Sequence, residues 1–229
     1  MTGILYGISV GPGDPELMTL KAVRRIRECD ILVVPAEDYQ ESVAYKIALG
    51  AVEELREKQV VGVSMPMTRD PKILAEHHRR AADRIEAWLE EGRNVGFLTL
   101  GDVTVYSTYI YVHKLVAADG YRTELISGVP SFCAAAARLG IGLAEQKESL
   151  HVIPASGGIE EALELPGTRV FMKAGKQLGA VKQQLKASEA EVWMVENCGM
   201  PGERIFRSAD AIDENAGYYS LLIAKEVHG

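Results

Sequence analysis

Two short segments hold the residue types that small-ligand chemistry needs. GDVTVYST, residues 101 to 108, follows the apolar run NVGFLTL at 94–100. Such a run reads as a buried strand, so the segment emerges at the carboxyl edge of a sheet, where α/β proteins bind ligands. There Gly101 lets a ligand approach the backbone and Asp102 offers a carboxylate. Read alone, the segment fits a solvated turn and a ligand loop equally well. GVPSF, from Gly128 to Phe132, is a second strand-to-helix junction with small residues. Two such loops favour a cleft. A third group, Gly7, Gly11 and Gly13, invites a diphosphate-binding reading, but GPGDPE puts Glu16 where the third glycine should stand, and a carboxylate there repels a diphosphate. No GxxxxGK[ST] motif is present, which disfavours a P-loop. The first turn is a plain strand-to-helix connection or part of a cleft lining.

Other chemistries find little support. No Ser/His/Asp set stands at a telling spacing, so hydrolysis is disfavoured. His77, His78, His113, His151 and His228 make no HxxxH or HExxH pair, and surface or structural histidines are expected, with no metal held by the protein. Cys29, Cys133 and Cys198 are odd in number and lack a CxxC pair, which predicts buried, reduced thiols in a cytoplasmic protein. Tyr106, Tyr109 and Tyr111 can assist proton loss, although helical packing explains at least two of them better.

These residues need elements to position them. Short β-branched runs alternate with longer amphipathic segments, the pattern of an α/β protein with a largely parallel sheet. Strands are predicted at Ile4–Val10, Asp30–Pro35, Val60–Pro66, Asn94–Leu100 and Tyr121–Ser127, then at Leu150–Ala155, Arg169–Ala174, Glu191–Asn197 and Tyr218–Lys225. The first helix is expected to start with Asp14 as its N-cap and Pro15 as its first residue, with Leu17, Leu20 and Val23 facing inward. Further helices are read near Ser42–Leu55, Pro71–Glu91, Ser107–Asp119 and Phe132–Gly140. The Gly-Pro pair in GVPS places a boundary between domains 1–127 and 128–229.

The whole chain agrees with a plain globular protein. It has 229 residues, 47% hydrophobic and 25% charged, enough to bury a substantial core. The net charge of −7 argues against a general nucleic-acid or anionic-membrane partner, and no window approaches the roughly 18 apolar residues of a membrane span.

The combination GISVGPGDPELMTLKA, LTLGDVTVYSTY and ISGVPSFCAAAARLG resembles the tetrapyrrole (corrin/porphyrin) methylase family, and VIPA, VFMKAGK, ENCGM and YYSLLIAK extend the match in order over essentially the whole chain. Within the family it is most similar to the branch that methylates carbon 20 of precorrin-2 or cobalt-precorrin-2 in cobalamin biosynthesis. The resemblance implies two α/β domains with S-adenosyl-L-methionine in a cleft between them, S-adenosyl-L-homocysteine as product, and a homodimer. By matching motif it implies cofactor contacts at Pro12, Leu100, Gly101, Asp102 and Val105, with Tyr106 beside them, then at Ser131, Phe132 and Met172, and at the weaker matches Cys198 and Tyr219. No catalytic base is assigned, and any cobalt enters with the substrate. The same fold also serves uroporphyrinogen, diphthine and ribosomal RNA methylation, and a non-catalytic tetrapyrrole carrier is the reading from another class. Because such a substrate bears many carboxylates, Arg69, Lys72, Arg79, Arg80 and Arg84 are read either as a patch that meets them or as a solvated helix face.

Overall fold

The computed structural model describes residues 2–68, 70–157 and 159–226. Arg69 and His228 lie outside the described residues. The chain divides into two compact units, Met1–Pro130 and Ser131–Gly229.

In the first unit, β1 (Ile4–Ser9), β2 (Ile31–Val34), β3 (Gln59–Gly62), β4 (Val95–Thr99) and β5 (Arg122–Ile126) alternate with α1 (Leu20–Glu28), α2 (Val43–Ala51), α3 (Pro71–Glu90) and α4 (Tyr109–Ala118). The strands form one parallel sheet in the order β3-β2-β4-β1-β5. Both faces are covered, as βαβ connections require. Tyr6, Ile8, Leu32, Val34 and Leu98 pack with Ala22 and Ile26 of α1 and Ile47 and Ala48 of α2. Leu5, Val33, Val95 and Phe97 pack with Ile85 and Leu89 of α3 and Val112 and Val116 of α4. Each fully buried Leu or Ile in these layers stabilises the unit by about 1.5–3 kcal/mol. Gly7 serves this packing: a Cβ there would lie 2.1 Å from Cε1 of Tyr109, whose ring is seated on the strand.

The start of the first helix differs from expectation. Asp14 does accept a hydrogen bond from the Glu16 amide, and Pro15 does open a turn, but that turn is a 3-10 segment, Pro15–Leu17. Met18 is extended, and α1 begins afresh behind Thr19, whose side chain accepts from the Ala22 amide. The helical phase is therefore reset. Ala22 and Ile26 face inward, while Leu20 is 90% exposed. α3 starts as expected, with Asp70 accepting from the amides of Lys72 and Ile73 and Pro71 in the first turn.

The second unit contains α5 (Ser131–Leu139), β6 (Leu150–Pro154), α6 (Glu160–Leu163), β7 (Thr168–Met172), α7 (Leu178–Ala187), β8 (Glu191–Glu196), β9 (Arg204–Phe206) and β10 (Ser220–Lys225). Its sheet runs β6-β7-β10-β8-β9. Only β6 and β7 pair in parallel; β7 with β10, β10 with β8, and β8 with β9 are antiparallel. The expectation of parallel pairing thus holds for the first unit and fails for most of the second. The short β8–β9 connection turns the chain straight back, which gives an antiparallel pair, and β10 then enters between β7 and β8 running opposite to both. Phe171, Met194 and Leu222 pack on Leu178, Val181 and Leu185 of α7, and Val170, Val195, Leu221 and Ile223 pack on Ala135, Ala136 and Leu139 of α5. Among the described residues, no helix is long and apolar enough to cross a membrane.

Candidate functional site

All five residues of β4 are buried between β2 and β1, and the chain leaves the sheet at the carboxyl edge as Leu100-Gly101-Asp102. Main-chain bonds fix this exit. The Val10 amide donates to the Thr99 carbonyl at 2.9 Å and the Gly101 amide to the Gly11 carbonyl at 2.7 Å, a one-residue bridge between the first and second glycine turns. Gly11 has φ +76° and Gly101 φ +71°, a conformation that glycine adopts without strain. A Cβ on Gly101 would meet nothing within 4 Å, so a ligand can approach its backbone. Pro12 is buried in the turn that follows Gly11.

Asp102 is 5% exposed and its carboxylate is fully engaged. Oδ1 accepts from the Thr104 amide at 2.8 Å and the Thr104 hydroxyl at 2.5 Å, and Oδ2 accepts from the Ser127 hydroxyl at 2.5 Å and the Gly128 amide at 2.8 Å. Burial alone would push this carboxyl up, but the hydrogen bonds from Ser127, Thr104 and Gly128 outweigh it and hold the pKa below the usual carboxylate value. Asp102 therefore joins the loop after β4 to the loop after β5 as a permanent anion. Its lone pairs are taken by this one loop set, which leaves the side chain no role as a base. Ser9, wholly buried at the end of β1, accepts from the Val103 amide at 2.8 Å, and the hydroxyls of Thr99 and Ser107 lie 2.9 Å apart. Val105 is half-buried beside this lock, and Tyr106 follows it at φ +50° with 39% exposure. An aromatic residue in the left-handed region costs about 1–2 kcal/mol, so the loop holds Tyr106 against its own preference.

In the second unit, β6, β7 and β8 all end at the same edge of their sheet, where β10 begins. Met172 faces Pro154 on one side and Leu221 on the other, and Leu221 in turn faces Val195. Cys198 and Tyr219 flank this line, and the Asn197 amide donates to the Tyr219 carbonyl at 3.0 Å. Phe132 near the start of α5, Met172 and Cys198 all pack on one apolar cluster, which brings together three of the four apolar or thiol positions predicted here; Ser131 opens α5 itself. Tyr219 packs edge-on against Tyr218, and burial, then the neighbouring Tyr218, pushes its hydroxyl pKa up. Its loop is anchored by Glu196, 5% exposed, which accepts from the Gly217 amide and Arg204 Nε, each at 2.5 Å. Lys173 and Asn197, immediately past the ends of β7 and β8, have φ of +58° and +52°.

The basic patch on α3 behaves otherwise than as a free carboxylate receptor. Arg79 is clamped by Asp83 at 2.6 Å, Glu86 at 2.6 Å and Asp119 at 2.5 Å, and Arg80 pairs with Glu76 at 2.5 Å. Arg84 lies over the ring of Trp88. Arg79 thus ties α3 to the end of α4. Replacing it by alanine is expected to cost about 1–2 kcal/mol in urea denaturation while changing substrate KM by less than about twofold, because the three carboxylates already occupy its donors. The tyrosines also separate: Tyr109 is fully buried in the core of the first unit, Tyr111 stacks on His78 at 5.0 Å, and Tyr106 lies in the loop before the helix. Of the thiols only Cys29 is buried; Cys133 is exposed and Cys198 half-buried, because the helix α5 turns Cys133 away from the packed face of Ala134, Ala135 and Ala136. All three are free. Among the described residues, no group of three or more His, Cys, Asp or Glu is arranged to hold a metal ion.

Sequence reasoning missed Ser9, Ser127, Gly128 as a donor, and Glu196. Ser9 carried a signal, a hydroxyl at the end of an otherwise apolar strand; the others carried none at the level of local spacing.

The family model of the Tetrapyrrole (Corrin/Porphyrin) Methylases matches residues 4–211. Cobalamin biosynthesis protein CobIJ of Mycobacterium tuberculosis is 31% identical over 96% of this chain, and the chain spans just under half of that relative, 46%. Cobalt-precorrin-2 C(20)-methyltransferase of Salmonella typhimurium is 31% identical over 99% of this chain and 98% of its own length. Among solved structures, the cobalt precorrin-4 methyltransferase CbiF is similar with a TM-score of 0.76 at 18% identity, over 97% of this chain and 94% of the other.

Proposed function

Because the chain belongs to the tetrapyrrole (corrin/porphyrin) methylase family, we propose that it is an S-adenosyl-L-methionine-dependent C-methyltransferase acting on carbon 20 of precorrin-2 or cobalt-precorrin-2 in cobalamin biosynthesis. The observation that supports it most directly is the locked loop at the end of β4. Asp102 spends its whole carboxylate on shaping that loop, and the space beside Gly101 where a Cβ would stand is open. A loop held this rigidly presents main-chain donors and acceptors at fixed positions, which suits a ligand recognised by its backbone contacts. The likeness over nearly the full length of the Salmonella typhimurium protein supports the choice of acceptor.

The residues present fit the cofactor. Leu100, Gly101, Val105, Tyr106 and Pro12 would hold it, with Asp102 acting through the loop, and the family resemblance also assigns Ser131, Phe132, Met172, Cys198 and Tyr219 to it. The bound cofactor supplies a methyl group already activated by its sulfonium. The protein's share is then alignment and exclusion of water. Phe132 offers apolar contact without a competing nucleophile, Met172 adds apolar contact, and the fully engaged carboxylate of Asp102 cannot take the methyl. The strained Tyr106 would present its ring to the ligand in one orientation. The protein is read as a cytoplasmic homodimer, a location that suits the free thiols of Cys29 and Cys133.

The test is direct. Incubation with 13C-methyl-labelled cofactor and precorrin-2, with and without cobalt, is expected to yield one labelled methyl on carbon 20 by NMR, and S-adenosyl-L-homocysteine in equal amount. Label on another carbon would replace the acceptor position, and absence of transfer to any tetrapyrrole would remove the enzymatic reading.

A further inference from the structure

We propose that the buried hydroxyls of Thr99 and Ser107 are a positioning pair for the cofactor loop, closing residues 100–106 back onto the end of β4 and holding the Tyr106 backbone in its left-handed conformation; the proposal rests on the functional reading above.

The way α4 begins is the first argument. Ser107 and Thr108 stand at its start, where a hydroxyl side chain normally accepts from one of the free amides of the first turn. Thr108, the N-cap, makes no such bond, and the Ser107 hydroxyl lies 2.9 Å from the Thr99 hydroxyl instead. Thr99 is the last residue of β4, and both residues are buried. The helix thus opens without a side-chain cap while a hydroxyl beside its first turn is committed to the strand.

Loop closure is the second argument. The chain leaves β4 at Thr99 and is tied back to it eight residues later at Ser107. The first half of this excursion is already fixed, by the four bonds to the Asp102 carboxylate and by Ser9 on the Val103 amide. The Val105 amide donates to the Asp102 carbonyl at 3.1 Å and closes a turn within that half. Tyr106 links the fixed half to Ser107, and it does so at φ +50°. A residue with a bulky side chain stays in that region only where its surroundings over-determine it. Here an anchor lies on each side, and the downstream one is the Thr99–Ser107 bond. Without that bond the strain at Tyr106 relaxes by moving residues 105–107 off the strand, and the loop backbone offered to the ligand loses its fixed position.

The test uses the full chain, the variants T99V, S107A and T99S, and T99V again in a Y106N background. Two quantities are measured: affinity for S-adenosyl-L-homocysteine by calorimetry, and hydrogen–deuterium exchange of the amides of residues 100–107 in the protein without ligand. T99V keeps the shape of Thr99 and removes its hydroxyl. T99V and S107A are each expected to weaken binding by about tenfold and to speed exchange of the segment by about tenfold, while T99S stays within about threefold of the parent in both. Asparagine tolerates the left-handed region, so Y106N leaves the pair little strain to hold, and T99V added to Y106N should change either quantity by less than about threefold relative to Y106N alone. Hydroxyls that merely support the fold would give the same T99V loss in both backgrounds. Equal losses in the two backgrounds overturn the proposal, as do parental affinity and exchange in T99V and S107A. A parent protein that does not bind S-adenosyl-L-homocysteine would sink the functional reading instead, and exchange in the two backgrounds would still decide whether the pair holds Tyr106.

Discussion

Asp102→Ala is expected to lose about 30-fold or more in affinity for S-adenosyl-L-homocysteine by calorimetry, the equivalent of about 2 kcal/mol, and about 3 kcal/mol of folding stability by urea denaturation. The carboxylate is the acceptor for four donors, two from Thr104, one from Ser127 and one from the Gly128 amide. Removing it leaves four part-buried donors without their acceptor and frees the two loops from one another. Asp102→Asn is the sharper probe, because its amide nitrogen must face donors whichever way the side chain is turned. The pH dependence follows from the sign of the shift. The folded carboxyl titrates below its unfolded value of about 3.9, so its contribution is complete above that value and is lost as the pH falls through the lower, folded one. The stability gap between the parent protein and Asp102→Asn should therefore be constant from neutral pH down to about 4 and shrink below it. A gap that does not change with acidification would mean that the carboxylate is not held as an anion.

Gly128→Ala is expected to be nearly as damaging, at about 3 kcal/mol, the upper part of the range for overpacking. A Cβ there would lie 2.4 Å from the Ser9 Cβ and 2.9 Å from the Gly101 carbonyl oxygen. Neither neighbour is the end of a flexible side chain, so one of the two loops must move. Either movement breaks a bond of the lock: the Ser9 hydroxyl leaves the Val103 amide, or the Gly128 amide leaves Asp102. Cofactor affinity should fall together with the melting temperature. A variant with parental affinity would show that the loop after β5 has no part in shaping the one after β4.

Much of the first unit could be read from the chain. The run at 94–100 is apolar because β4 is buried on both faces, and that alone places Gly101 and Asp102 at a sheet edge. The partners of Asp102 could not be read, since Ser127 and Gly128 are brought to it by the pairing of β1 with both β4 and β5, not by any local pattern. Leu20 misled for a similar reason. Its spacing from Leu17 and Val23 is helical, but the break at Met18 restarts the helix and turns Leu20 outward. On α3 the Asp83 partner of Arg79 is one helical turn away and visible in the sequence, whereas Asp119 comes from the end of α4. In the second unit Met172, Cys198 and Tyr219 converge because β10 runs antiparallel between β7 and β8. Alternating hydrophobicity gives a strand there, but not its direction.

That central place of β10 also bears on how the protein is made. The strand comes last among the described elements, yet it supplies the neighbour for both β7 and β8. While a ribosome is still upstream of Ser220, those two strands each present an unsatisfied row of amides and carbonyls to solvent, whereas β1 to β5 already have every partner they will use. The nascent second unit is therefore a sticky half-sheet until its final strand threads in. The same exposure would persist in any transcript cut short before that codon, and such a fragment would be a target for chaperones and proteases even though its other half is complete.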